Sequence, residues 1–300
     1  MHVGYQLSNI LESIVPHNTE ALYLCHNSIF DLFLSYCDIE LNNYDINNKK
    51  FLDNNTRISS WSVDTLTKPY SIHIVNNPLT YLKNNNSIHF HLNTITFSHD
   101  IGLLSIKKED AFLLCTNAFR PNDTLVYFNS IMSNYNCEKI NRIKLEYAIP
   151  DEIQNLNQEK NGTAIFCYNK TVGPEFMANI GPDATQLVSL PNSLEELNNT
   201  LNKYSLFIEL DPASIINCLT AVACGGIAVI LDTNNILTEY RNIPNLYIIN
   251  SLQELNQFIL QKPIYRLETT IFDSRFRQFN SFKEKMSQII KTSQRKAFVL

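Results

Sequence analysis

The chain has 300 residues, of which 44% are apolar and 18% charged; this excludes a disordered or fibrous protein and leaves room for two domains of ordinary size. A formal charge of −5 and a pI near 5.8 speak against a protein dedicated to nucleic-acid backbones, since that affinity comes from clustered cations. A mononucleotide stays open, because it needs only one or two basic side chains and some backbone N–H groups.

The seven cysteines (Cys25, Cys37, Cys115, Cys137, Cys167, Cys218 and Cys224) are scattered and never spaced C-x-x-C, so no zinc ribbon or thioredoxin motif is present. Most of them read as buried thiols of a reducing compartment. Ser8, Asn9 and Glu12 interrupt the first apolar stretch, which removes a secretory pattern there. The longest apolar run, 219–231, carries Thr220, Gly225 and Gly226 and is too short to span a bilayer. A cytoplasmic protein without a transmembrane helix is expected.

In the first half, short apolar runs bounded by Asn, Asp, Pro and Gly predict strands at 21–26, 71–75, 88–91, 111–116, 124–128 and 144–147. Helical spacing appears at 5–15 and 29–37, while the polar stretch 42–55 reads as a loop. A strand stopped at Pro150 and a polar segment, 152–161, without apolar period place a domain boundary near residue 150. Beyond it, strands are predicted at 163–168, 185–189, 206–209, 227–231 and 246–249. Helices are predicted at 174–180, 193–201, 215–223 and 252–260. Alternation at such short spacing is that of a doubly wound parallel sheet. Ser193, with Glu195 and Glu196 behind it, and Ser251, with Glu254 three residues on, read as helix N-caps.

The most informative stretch is 207–232, FIELDPASIINCLTAVACGGIAVILD. A strand ends at Asp211-Pro212, and a helix starting near Ser214 points its unpaired N–H groups at the carboxyl edge of the sheet, where open α/β folds bind diphosphates. Ser214 adds a hydroxyl or acts as N-cap, Pro212 stiffens the turn into the helix, and Gly225 and Gly226 end it. This segment resembles the late strand-loop-helix-strand of GT-B glycosyltransferases, with Ala223-Cys224-Gly225-Gly226 as the small-residue turn and Ala228-Val229-Ile230 as the strand after it. The family's two glutamates of this region fall on Pro212 and Thr220, so both are replaced here. The resemblance implies donor contacts from Pro212, Ala213, Ser214, Ile215 and Thr220. Upstream, TAIFCYNK (163–170) resembles the first strand and loop of the same domain, which implies phosphate contacts from Asn169 and Lys170. Residues 188–190 match the stretch near the nucleobase, which implies Ser189 and Leu190.

In the first half, His89, His91, His99 and Asp100 lie in SIHFHLNTITFSHD, read as a strand and the loop after it. The resemblance implies that this loop faces the acceptor, with Asp100 or His99 as the candidate general base that takes the proton of its hydroxyl. Two histidines two apart on a strand also converge as metal ligands, with His99 or Asp100 as a third; packed or solvent-facing histidines are the plainer alternative. No G-x-G-x-x-G, P-loop or G-x-S-x-G is present. Glu209-Leu210-Asp211 is the nearest approach to D-x-D, a weak pointer to a metal-dependent GT-A enzyme.

The expectation is therefore an α/β chain of two Rossmann-like domains facing a cleft. The parts are 1–150 on the acceptor side, 151–280 binding a nucleotide-sugar, and a helix within 281–300 crossing back to the first domain. The implied activity is metal-independent transfer of a sugar from a nucleotide-sugar donor to an unknown acceptor hydroxyl, with no further cofactor and no nucleic-acid partner. Two alternatives stand beside it: a non-catalytic binding or assembly module of the same fold, and a metal-dependent hydrolase built on the histidine cluster.

Overall fold

The computed structural model describes residues 21–25, 29, 32–33, 36, 41–45, 50–52, 58–59, 72–75, 93–98, 124–128, 141–167, 174–181, 184–261 and 270–297. The chain divides into two compact units, one of Met1–Asn27, Leu34–Leu145 and Ser281–Leu300, the other of Ser28–Phe33 and Glu146–Asn280.

The first unit holds an eight-stranded sheet of β1 (Ala21–Cys25), β2 (Leu41–Asp45), β3 (Lys50–Leu52), β4 (Ile58–Ser59), β5 (Ile72–Val75), β6 (Asn93–Ser98), β7 (Thr124–Tyr127) and β8 (Asn141–Lys144), in the order β4-β3-β2-β1-β5-β6-β7-β8. The six strands from β2 to β8 in that order run parallel, and β3 and β4 add an antiparallel edge.

Several sequence expectations change here. The stretch 42–55 is not one loop: β2 places Asn42 and Asn43 opposite Leu22 and Tyr23, and backbone pairing overrides asparagine's poor strand preference. Asn93–Ser98, expected after a strand, is itself a strand paired on both sides. The last strand lies at Asn141–Lys144, earlier than 144–147, and the Leu145 N–H continues the ladder, donating to Tyr127 O at 2.9 Å. The expected elements at 5–15, 88–91 and 111–116 lie outside the described residues.

The second unit is built on β9 (Thr163–Phe166), β10 (Ala184–Leu187), β11 (Leu206–Glu209), β12 (Ile227–Leu231) and β13 (Leu246–Ile249), all parallel, in the order β10-β9-β11-β12-β13. Between and after them come α1 (Pro174–Ile180), α2 (Leu194–Leu201), α3 (Ile215–Ala223), α4 (Leu252–Leu260) and α5 (Thr270–Phe276); α6 (Phe279–Ala297) follows, and its residues from Ser281 on belong to the first unit. One sheet face, carrying Ile165, Ile208, Val229 and Ile249, packs on Phe176 and Met177 of α1 and on Leu255 and Phe258 of α4. The alternate residues Ala164, Phe166, Phe207, Ala228 and Ile230 are buried as well, which is why these strands read as continuous apolar runs. The right-handed rule for crossovers between parallel strands assigns α2 and α3 to that second face, and α3 packs against β11 and β12.

Both predicted caps form. Ser193 Oγ accepts from Glu196 N at 3.1 Å and Ser251 Oγ from Glu254 N at 3.2 Å; in each case the glutamate reaches back to the amide preceding the serine. The C-terminus of α3 closes as a Schellman motif: Gly226 N donates to Ala221 O and Gly225 N to Val222 O, with Gly225 at φ +80°. A Cβ on Gly226 would come within 2.5 Å of the Phe207 ring, so the second glycine is needed for close approach and not for its own φ.

The polar segment before β9 is tied down by asparagines on and just after α2. Asn202 Nδ2 donates to Gln154 O and Asn198 O, both at 2.9 Å, while Asn202 Oδ1 accepts from Leu156 N and Lys160 Nζ. Asn198 Oδ1 accepts from Gln154 N and the Cys224 thiol. Burial pushes that thiol up to about 12, against the pull of the Arg277 and Lys160 cations. Arg277 adds bonds to Ile153 O and, at 3.2 Å, to Ala223 O at the end of α3. The Arg275 guanidinium lies over both the Tyr240 and Phe276 rings, 5.0 Å from each centroid, and pairs with Glu146 at 3.1 Å. Ile149 N donates to Phe276 O at 2.8 Å, joining the start of this unit to its end.

Candidate functional site

Counted along the second unit alone, the strand order is 2-1-3-4-5, and it reverses direction between β9 and β11. Open α/β sheets bind ligands at such a switch point, beyond the carboxyl ends of the strands. The chain leaving β11 therefore occupies the position where function is expected.

Its geometry is set from below by a buried carboxylate. Glu209, the last residue of β11, is 4% exposed. Oε1 accepts from Asp211 N at 3.0 Å, and Oε2 accepts from Asn217 Nδ2, in the first turn of α3, at 2.8 Å. Strand, loop and helix are thereby pinned together. Pro212–Ser214 then form a 3-10 turn, closed by Ser214 N donating to Asp211 O at 2.9 Å, which leads straight into α3. Leu210, Asp211, Pro212 and Ser214 are half-buried.

The neighbouring strand repeats the device. Asp232, just past β12, is fully buried and accepts from Ile236 N at 3.0 Å and Leu237 N at 2.8 Å, which shapes the exposed turn 233–235. Arg241 Nη2 bridges Asn235 Oδ1 at 2.9 Å and Asn250 Oδ1 at 3.2 Å, joining the loops after β12 and β13. Under the site, burial and the Glu209 charge push the Cys218 thiol well above its usual range, so it is no nucleophile there.

No family model matches the sequence, and no curated protein sequence matches it. Among solved structures, the chain is similar to sucrose-phosphate synthase from Thermosynechococcus elongatus, with a TM-score of 0.56 and 10% identity over 92% of this chain and 99% of that one. A wall teichoic acid polymerase, TagF, matches with a TM-score of 0.42 and 12% identity over 94% of this chain and 90% of that one. The fold is of the GT-B type.

Within this GT-B-type fold, the structure sorts the residues named from the sequence. Pro212 and Ser214 lie on the half-buried loop at the switch point, and Ala213 is between them. The Ser214 side chain makes no capping hydrogen bond, which corrects its reading as a simple N-cap: the 3-10 turn occupies the place of a cap. Ile215 and Thr220 are fully buried, and the Thr220 hydroxyl donates to Ile216 O at 2.7 Å. Ser189 is exposed and Leu190 half-buried, just beyond the carboxyl end of β10. Asn169, Lys170, His89, His91, His99 and Asp100 lie outside the described residues.

Reading the sequence alone misses what Glu209 and Asn217 do. Their spacing of eight residues and their place on either side of a turn are the only signal it holds. No group of three or more potential metal ligands occurs among the described residues, and no helix among them is long and apolar enough to cross a membrane.

Proposed function

We propose that this chain is a glycosyltransferase that holds a nucleotide-sugar at the carboxyl edge of β9 and β11 and passes the sugar to an acceptor hydroxyl. The observation that carries the reading is the loop 210–214 and the start of α3 at the switch point of a 2-1-3-4-5 sheet, in a chain of GT-B-type fold. The positive end of α3 and the Lys170 ammonium, with Asn169 beside it, would meet the diphosphate, and Ser189 and Leu190 would line the base. The acceptor oxygen attacks the anomeric carbon while the bond to the diphosphate breaks. The leaving diphosphate takes the bonding electrons, and Asp100 or His99 takes the proton. Cationic and helix-end donors in place of a metal stabilise the leaving charge.

One observation favours a second reading. Pro212 and Thr220 stand where the family has glutamates, and Thr220 is spent on its own helix, which suits a binding module that has lost transfer. A thermal-shift screen against UDP, GDP, ADP and CMP and their common sugars, with and without EDTA, tests the proposal, because a ligand bound only by the native state raises Tm. A selective shift insensitive to EDTA, followed by turnover of that nucleotide-sugar, is the expected result. A shift without hydrolysis or transfer identifies the binding module, and no shift with any nucleotide overturns both.

A further inference from the structure

We propose that Glu209 is a positioning residue for the nucleotide, acting through the loop 210–214 and without touching the ligand. This rests on the reading above. Both carboxylate oxygens are already engaged, one by the Asp211 amide and one by Asn217, and the group is buried at the root of the loop. The Asp211 carbonyl in turn accepts from Ser214 N, so the carboxylate holds the residue whose carbonyl closes the 3-10 turn. A buried acceptor facing two donors holds them in place, because leaving either unpaired is costly. The loop is thus set before a ligand arrives, which removes an ordering cost from binding.

Positioning by geometry and contact by charge predict different behaviour in Glu209→Gln. The glutamine oxygen can still accept from Asp211 N, and its amide can donate to Asn217 once that side chain rotates its own amide. Glutamine therefore preserves the two tethers while removing the negative charge. Alanine removes both.

The experiment measures, by calorimetry on the whole protein, the affinity of whichever of UDP, GDP, ADP or CMP raises the wild-type Tm. Glu209→Gln should bind within about threefold of wild type, and Glu209→Ala roughly tenfold or more weakly. Asn217→Ala serves as a second route to a loosened loop if Glu209→Ala does not fold, and should lose affinity in the same direction. Asn202→Ala, which breaks buried hydrogen bonds at the far end of the unit, should lower Tm and leave affinity unchanged. Hydrogen exchange should show the amides of Asp211 and Ser214 exposed in the alanine variant and protected in the glutamine one. Wild-type affinity in a folded Glu209→Ala or Asn217→Ala overturns the proposal. A glutamine variant as weak as alanine with its loop amides still protected overturns it too, in favour of direct contact. A wild-type protein that binds none of the four nucleotides overturns the proposed function, and the role of Glu209 with it.

Discussion

Asn202 and Asn198, four residues apart at the end of α2, share a hydrogen bond of 3.0 Å between their side chains and together hold the backbone of Gln154 and Leu156. Asn202 is fully buried, and both ends of its amide are in use. Asn202→Ala should destabilise the second unit by about 2 kcal/mol, the cost of leaving buried donors and acceptors without partners. Thermal or urea denaturation measures this directly, and a loss below about 0.5 kcal/mol would mean that water replaces the amide at no cost.

The two glycines after α3 are needed for different reasons. Gly226→Ala should destabilise by about 1–3 kcal/mol, because its Cβ would press on the buried ring of Phe207, itself stacked on Phe166 at 5.6 Å. Phe207→Leu makes room. A double-mutant cycle should therefore show Phe207→Leu costing less in the Gly226→Ala background than in the wild type. Strictly additive losses would mean that the ring is not what the new methyl meets.

Stability should fall in alkali. The Cys224 thiol, pushed up to about 12 from an ordinary value of 9.0, stays protonated in the folded chain while the unfolded chain ionises. The folded state then binds more protons, so its stability is intact below about pH 9 and declines as pH rises toward 12. Cys218 and Tyr240 are raised as well and act in the same direction. Denaturation at pH 8 and pH 10.5 should show a smaller alkaline loss in Cys224→Ala than in the wild type, and an equal loss would show that the thiol titrates normally.

Lys170→Ala should weaken binding of the nucleotide found by the thermal-shift screen by roughly tenfold to a hundredfold, the worth of a charged hydrogen bond to phosphate. Lys203→Ala, an exposed lysine just beyond α2, should bind as the wild type does. Calorimetry on the two variants decides whether Lys170 meets the diphosphate; equal affinities would remove it from the site.

The second unit was legible because its strands are buried on both faces and its helices carry their own punctuation. Ser193 and Ser251 cap where a serine followed three residues on by glutamate says they should, and the Ala223-Cys224-Gly225-Gly226 turn closes where its glycines allow. The first unit was harder, since strands of two to six residues that include Asn42, Asn43 and Asn93 have neither length nor apolar pattern to announce them. The loop at the switch point was found, but what holds it was not. In the sequence Glu209 reads only as one end of Glu209-Leu210-Asp211, the nearest approach to D-x-D, and the fold alone brings Asn217 against it. The resemblance points to Thr220, yet its helix has no exposed face at all, every residue from Ile215 to Ala223 being buried. The segment 152–161 showed no periodicity because its partners are asparagines more than 40 residues away.

The hydrogen bond between Ile149 N and Phe276 O has a topological consequence. It brings residues 149 and 276 together, so the long stretch of the second unit begins and ends at one place and is nearly a closed ring, with Ser28–Phe33 as that unit's one further segment. A ring of that kind tolerates having its ends joined and a new break opened in a surface turn, so the order in which its strands are synthesised can be permuted without asking the fold to change.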